Sequence, residues 1–390
     1  MFYKETSFKE TLIGRIPKDW GIVKLGNLLE LRNGERPKII ENGEIPVYGA
    51  NGIMGYTSKF LAANDFTLVI GRVGASGEIH LGQGKIWVSD NAIYSESYDK
   101  SKVHLIFVFY LLKHKNLKQF AAKTTHPIIT QTFLNLFEIQ LPPLPEQCKI
   151  AEVLSTVDEA IRRTDEVIAK TERLKKGLMQ TLLTKGIGHK EFKDTEIGRI
   201  PKEWEVVRLG NIAEIIMGQS PPSSTYNEEG KGLPFLQGKM EFGEVYPSPI
   251  SYCSQPIKMA EPNDILISVR APVGDVNVAP FKLCIGRGLA AIRFNPQKAI
   301  YWFYFYYLQK IKNFLENLGK GSTFKAITKD DLENLKIPYL SFPEQQKIAE
   351  ILIAIDKKLE IEKSEKAKLE RIKQGLMDLL LTGKIRVKVN

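Results

Sequence analysis

Side chains capable of chemistry are plentiful in this chain, and almost none stand at the spacing that chemistry needs. Cys148, Cys253 and Cys284 form an odd set with no C-x-x-C pair. That fits a reducing compartment and argues against both a disulfide framework and a zinc site. His80, His104, His114, His126 and His189 are scattered, with no H-x-H or H-x-x-x-H pair to present a metal with two imidazoles. LGKGSTF at 318–324 has the letters of a phosphate-binding loop but not the G-x-x-x-x-G-K spacing that wraps backbone amides around phosphates. GRVGASG at 71–77 is not G-x-G-x-x-G and lies among strand-like runs, so it reads as hairpin turns. No G-x-S-x-G elbow occurs. SDNAIY at 89–94 lacks the paired prolines with which amino-methylating enzymes hold a flipped base. The chain reads as a binding protein with no catalytic residues, no metal and no cofactor of its own.

Composition narrows the partner. At 390 residues the chain is too long for one ordinary core and implies at least two domains. Its 43% hydrophobic and 26% charged residues describe a globular protein. VHLIFVFYLL and AIYWFYFYYL, the longest apolar stretches, are half the roughly 20 residues a membrane span needs. MFYKETSFKETL has no basic start followed by an apolar core, so a cytoplasmic location without a secretory signal is expected. A net charge of +10 fits a polyanion, but the excess is spread along the chain, and plain solubility explains it equally well.

The stronger signal is repetition. IGRIPKDWGIVKLGN at 13–27 returns as IGRIPKEWEVVRLGN at 197–211, PEQCKIAEVL at 145–154 as PEQQKIAEIL at 343–352, and RLKKGLMQTLLT at 173–184 as RIKQGLMDLLLT at 371–382. The last two pairs share one offset and the first does not, so the second copy carries 14 extra residues between about 211 and 327.

Each copy ends in a long helical pattern. Pro145 and Pro343 suit a first helical position, and Glu146 and Glu344 suit the positive helix start. Apolar steps of four and three follow, through Ile150, Leu154, Val157, Ile161, Ile168, Leu174 and Leu178 in one copy. The other copy has Ile348, Leu352, Ile355, Leu359, Leu369, Ile372 and Leu376. Gly186 and Gly383 look like helix stops. A helix of about 38 residues is ~57 Å long and weakly stabilised alone. The spacing predicts that the two pair as an antiparallel coiled coil; on periodicity alone, each could instead cover its own domain's core. The expected divisions are a linker over 1–20, a first variable domain over 21–144 and its helix over 145–185. A linker over 186–203, a second domain over 204–342, its helix over 343–383 and a tail over 384–390 complete them. Short apolar runs between Gly turns at 67–94 and 265–294 predict strands, followed by apolar helices over 103–121 and 299–318. The class is mixed α/β, internally duplicated with approximate two-fold symmetry. Aromatics at helical spacing in YWFYFYYL are assigned to core, not to base stacking. Trp20 and Trp204 are placed where each variable domain meets the helices, with GRIPK as a connecting turn.

These elements, twice in one order, resemble the specificity (S) subunits of type I restriction–modification systems. The resemblance rests on the paired PEQ helix starts, the LMQTLLT and LMDLLLT helix ends, the twin IGRIPKDW and IGRIPKEW linkers, IPVYGANGIMGY at 45–56, DILISVRAPVGDV at 264–276 and CIGRGLAAI at 284–292. It covers essentially the whole chain. It implies two target recognition domains spaced by an antiparallel helical pair, binding double-stranded DNA at an asymmetric bipartite site. It also implies two methylation subunits supplying S-adenosylmethionine chemistry, and restriction subunits supplying ATP- and Mg-dependent translocation and cleavage. The first copy departs from the pattern, with GRVGASGEIHLG where the second has VRAPVGDVNVAP.

Arg and Lys pair with guanine edges, Asn and Gln with adenine, hydroxyls and amides with phosphate. Loop candidates for DNA contact in the first domain are therefore Arg36, Lys38, Tyr56, Lys59, Lys123 and Thr125. The second domain offers Gln219, Ser220, Ser223, Lys239, Ser322, Thr323 and Lys325. Arg72 and Arg270, within strand-like runs, fit an ion pair as well as a DNA contact. Competing readings are a duplicated scaffold without DNA contact, a subunit serving a fused nuclease-methyltransferase, and an unrecognised methyltransferase.

Overall fold

A computed structural model describes residues 2–121, 127–320 and 326–388. It divides into two compact units, Met1–Glu166 with Lys363–Asn390, and Val167–Glu362. Both boundaries fall inside long helices, so each unit contains one variable block, the first half of its own helix and the last half of the other.

In the first unit a six-stranded sheet runs in the order Leu29–Asn33, Ala92–Tyr98, Ala62–Gly71, Ile79–Val88, Ile45–Gly49, Gly52–Thr57. Neighbours are antiparallel except Ile45–Gly49 beside Ile79–Val88. Alternation places Leu68, Ile70 and Ile93 in the main core with helix α1 (Leu105–His114), and Val69, Val88 and Tyr94 in a second cluster. Helix α2 (Gln131–Leu136) starts at Thr130, whose hydroxyl accepts the Phe133 N–H at 3.1 Å. Strand Glu138–Leu141 then pairs back onto Gly21–Lys24 and leads into α3 (Leu144–Lys185).

The second unit repeats this order. Its strands form a four-stranded and a five-stranded sheet, because the segment equivalent to Ile79–Val88 is broken into Val276–Val278 and Leu283–Ile285. Helices α4 (Tyr301–Lys310), α5 (Lys312–Lys320) and α6 (Lys329–Glu333) precede strand Lys336–Tyr339, which pairs with Glu205–Arg208 and leads into α7 (Phe342–Leu380). The aromatics of α4 are core as expected: Phe303, Tyr304, Phe305 and Tyr306 are fully buried. GRIPK is not a plain turn. Ile16–Pro17 and Gly198–Pro201 are strands of small hairpins, paired with Phe8–Lys9 and Phe192–Thr195, and Ile16 and Ile200 are buried.

The two long helices pair antiparallel within each unit. Lys373 meets Asp158 at 2.6 Å and Lys366 meets Asp165 at 2.7 Å in the first unit, and Lys175 meets Asp356 at 2.6 Å in the second. Partners advance along one helix as they retreat along the other. Each helix also covers its own domain: Ile150 and Leu154 join the first core, Ile348 and Leu352 the second. The expected apolar seam fails at two places. Leu174 and Ile372 are half exposed, and the next residues, Lys175 and Lys373, turn inward. Each lysine joins a repeated triad. Tyr110 donates to Asp158 at 2.7 Å with Lys373 over its ring, and Tyr306 donates to Asp356 at 2.7 Å with Lys175 over its ring. A hydrophobic stripe cannot reveal a seam position held by an ion pair. The remaining expected pairing residues are buried or half-buried.

The PEQ sequence explains how domain and helix are joined. Helices α3 and α7 begin at Leu144 and Phe342, one residue before the prolines. Gln147 is fully buried, accepts the His104 N–H at the start of α1 (2.9 Å) and donates to the Lys102 and Pro142 carbonyls (3.0 and 2.9 Å). Gln345 does the same with the Ile300 N–H (2.8 Å) and the Lys298 and Leu340 carbonyls (3.4 and 2.9 Å). Glu146 accepts the indole N–H of fully buried Trp20 at 3.2 Å, and Glu344 accepts that of Trp204 at 3.0 Å.

Each joint is completed by a cation from the chain just past a helix end. Arg386 donates twice to Glu146 (2.6 and 2.8 Å), and also to Asp19 and Glu5. Its equivalent, His189, bonds Glu344 at 2.8 Å and pairs with Glu203. The helix-stop glycines are needed twice over. Gly186 and Gly383 have φ of +63° and +70°, and a Cβ would lie 2.4 Å from the Glu344 carboxylate or 2.4 Å from Pro17.

Two outcomes follow. Gln345→Ala leaves a buried helix-start N–H and two carbonyls unpaired, and should destabilise the protein by about 2–4 kcal/mol in urea unfolding, whereas exposed Gln346→Ala should change it by less than ~0.5 kcal/mol. Burial lowers the pKa of His189, but bonds and charge from Glu344 and Glu203 outweigh it and leave the value raised. Stability from this joint is therefore full below about pH 6.5 and is lost as pH rises through the raised value. The melting temperature should fall over that window in the native protein, and His189→Arg, which copies the other joint, should flatten the fall.

Candidate nucleic-acid interface

The expected contact residues gather where strands end, away from the joints. In the first unit, Arg36 and Lys38 are exposed on the segment after strand Leu29–Asn33. That segment returns to the edge hairpin, where the Ile40 N–H donates to the Tyr56 carbonyl at 3.0 Å. Tyr56 is half exposed, Lys59 lies just beyond it, and Ile39, Ile53 and Met54 are exposed alongside. The Ile40 bond and the approach of Ile39 to Gly55 thus set the segment carrying Lys38 against the edge strand that carries Tyr56, a patch with cationic and apolar groups flanked in sequence by Arg36 and Lys59. A patch of this chemistry suits phosphates through its cations and thymine methyls through its apolar groups.

In the second unit Gln219 and Ser220 follow strand Ala213–Met217, and Ser223 is exposed on the short turn Ser223–Thr225. Lys239 behaves differently from the expectation. It is ion-paired to Asp275, which also takes Lys312 at 2.6 Å, so its charge is engaged inside the unit. Burial raises the Asp275 pKa, and the two lysines more than reverse this, holding the carboxyl below its ordinary value. Lys123, Thr125, Ser322, Thr323 and Lys325 lie outside the described residues. Neither Arg72 nor Arg270 has an ion-pair partner among the described residues; Arg72 is half-buried and Arg270 exposed.

Sequence reasoning missed a third strand end that closes this cluster. The turn Gly286–Arg287–Gly288 is stitched between the ends of two other strands. Gly286 N–H donates to the Leu236 carbonyl (2.8 Å), Gly288 N–H to Gln237 (3.3 Å), and Gln219 N–H to Ile285 (3.0 Å). The Ser220 hydroxyl accepts the Arg287 N–H at 3.2 Å and bonds the Gln237 amide. A Cβ on either flanking glycine would meet Gln237 within 2.7 Å. The first unit repeats the stitching: Ser89 N–H to Tyr48 (2.8 Å), Glu35 N–H to Val88 (2.9 Å), Gly34 N–H to Ala92 (2.9 Å). The available sequence signal was the pair of glycines around Arg287.

Among the described residues no group of three His, Cys, Asp or Glu side chains is placed to hold a metal ion. No helix among them is long and apolar enough to cross a membrane. Cys253 and Cys284 are buried in a small cluster with Phe235.

A duplicated chain of two mixed α/β recognition blocks and two long paired helices is the architecture of one protein class. The sequence profile of the type I restriction modification DNA specificity domain matches residues 17–173 and again 201–371, and the chain belongs to this family. It is 45% identical to a putative type I restriction enzyme specificity subunit, MjaX, of Methanocaldococcus jannaschii, over 99% of this chain and 98% of that one. It is 31% identical to the MjaVIII specificity subunit of the same organism, over the same shares. Its fold is similar to the crystal structure of the S subunit of a type I system from M. genitalium, with a TM-score of 0.70 at 20% identity, covering 96% of this chain and 99% of that one.

Lys239→Ala should lower thermal stability, by about 1 kcal/mol for a partly exposed pair, because Asp275 then keeps only Lys312. Arg36→Ala and Lys38→Ala, which remove no ion pair or side-chain hydrogen bond among the described residues, should leave the melting temperature unchanged.

Proposed function

We propose that this chain reads DNA sequence for a restriction–modification complex and performs no chemistry itself. The observation that carries the reading is a division of labour between the copies. Joints, triads and backbone ladders repeat, whereas the exposed side chains at the strand ends do not. A frame held constant beside two different reading surfaces suits a DNA target with two unlike halves, each recognition block reading one half. The helical pair then sets the gap between the halves and docks two methylation subunits. Those subunits supply the S-adenosylmethionine chemistry, and restriction subunits join in the full complex. Arg36 and Lys38, exposed and without an ion-pair partner among the described residues, are suited to phosphate, and retention on DNA should fall steeply with salt as counterions are released. A scaffold without DNA contact predicts no such retention.

The spacing role has a direct test. Seven residues inserted in both helices, after Glu166 and after Glu362, keep the packing phase and lengthen the pair by ~10.5 Å. At ~3.4 Å per base pair, mapping of methylated adenines in cells carrying the assembled complex should show the same half-sites with a gap longer by about three base pairs. An unchanged gap, or one continuous target, overturns the proposal.

A further inference from the structure

The strand-end cluster of each unit holds one position whose chemistry is reversed between copies. Arg287 occupies the tip of its turn in the second unit. The matching ladder bonds, Gly286 N–H to Leu236 and Ser89 N–H to Tyr48, make Asp90 its counterpart in the first. Matching bonds from Gln219 to Ile285 and from Glu35 to Val88 align Ser220 with Arg36. The second unit therefore presents Arg at the turn and Ser at the neighbouring strand end, and the first presents Asp at the turn and Arg beside it. Both turns are anchored by the same ladder bond to a neighbouring strand end, and their side chains differ: Ser89, Asp90 and Asn91 in one, Gly286, Arg287 and Gly288 in the other.

We infer that the turn tip is a base-reading position in both copies, with Arg287 recognising a guanine in the second half-site and Asp90 a cytosine amino group in the first. The inference rests on the DNA-reading role proposed above. Three observations support it. Both side chains are exposed, and neither has an ion-pair partner among the described residues, so each is available to a ligand. The glycines at 286 and 288 leave Arg287 without bulky neighbours on its own turn, and the turn is held by hydrogen bonds to two other strands, so its base is rigid. A guanidinium matches the O6 and N7 acceptors of guanine with two parallel bonds, and Gln219 and Gln237, exposed in the same cluster, suit the edge of an adjacent adenine. A carboxylate facing a polyanion is repelled by phosphate, so a DNA-facing Asp90 is useful chiefly where it accepts from a base amino group. Arg36, aligned beside it, supplies the compensating cation.

The test uses the complex reconstituted with its methylation subunits and a DNA library randomised in both half-sites. Arg287→Ala should lose selection at one base pair of the second half-site, by roughly 10- to 100-fold, with the first half-site unchanged. Arg287→Gln should shift that same position toward adenine. Asp90→Ala should relax one base pair of the first half-site only. Melting temperatures should stay at the native value, because neither side chain has a hydrogen bond or ion pair among the described residues. An unchanged selection profile for Arg287→Ala overturns the inference. So does a uniform loss across all sequences with a shallower salt dependence, which marks a phosphate contact. A native complex that selects no sequence at all removes the underlying reading, and this inference with it.

Discussion

Everything in this chain hangs on two glutamates at the starts of its long helices. Glu146 and Glu344 lie at the first turn of each long helix; Glu146 is buried and Glu344 partly buried, and protein groups bond both carboxylates. Each takes the indole N–H of the tryptophan that begins a variable block, and each takes a cation from the chain just past a helix end. Three segments distant in sequence thereby meet at one carboxylate. Removing Arg386 strands the buried charge of Glu146, a change that typically costs about 3–5 kcal/mol, so that joint tolerates little variation. The repeated IGRIPKDW and IGRIPKEW phrases are one side of this joint and the repeated PEQ is the other.

The joints are equivalent but not identical. Arg386 cannot lose its charge, binds three carboxylates and is backed by the pairing of strands Phe2–Lys4 and Ile385–Val387. His189, in the continuous chain between the two copies, can lose its charge and binds two. The first joint therefore keeps its full set of bonds at any pH near neutrality, and the second weakens when His189 loses its proton.

Much of this frame was legible from the residues. Duplication, the long helices, the glycine stops and the burial of both tryptophans all leave marks in composition or period. What stayed hidden was polar. Glu146 and Glu344 read as residues placed for the helix dipole, because nothing in a single sequence distinguishes a solvated glutamate from one bonded to an indole. Lys175 and Lys373 were invisible as seam residues for the same reason, and the stripe drawn through Leu174 and Ile372 passed one residue to the side. Lys239 read as a free cation because its partner Asp275 lies 36 positions away. Pairings across long sequence separations are set by the fold, and local pattern carries no trace of them.

Those hidden polar contacts also explain why a reading surface can vary without disturbing the frame. An apolar seam alone would let the helices slide by a turn with little penalty. A seam in which Asp158 must find both Tyr110 and Lys373, and Asp356 both Tyr306 and Lys175, has one register, since any slip leaves partly buried charges unpaired. At the strand ends the opposite rule holds. There the ladders close on backbone atoms and on glycine, as at Gly34, Gly218 and Gly286, so the intervening side chains contribute little to folding. Substitution at Glu35, Arg36 and Asp90, or at Gln219 and Arg287, changes what the surface presents and leaves the joints and the register alone. A protein whose targets must diverge while its assembly stays fixed needs that separation of polar networks inside from free side chains outside.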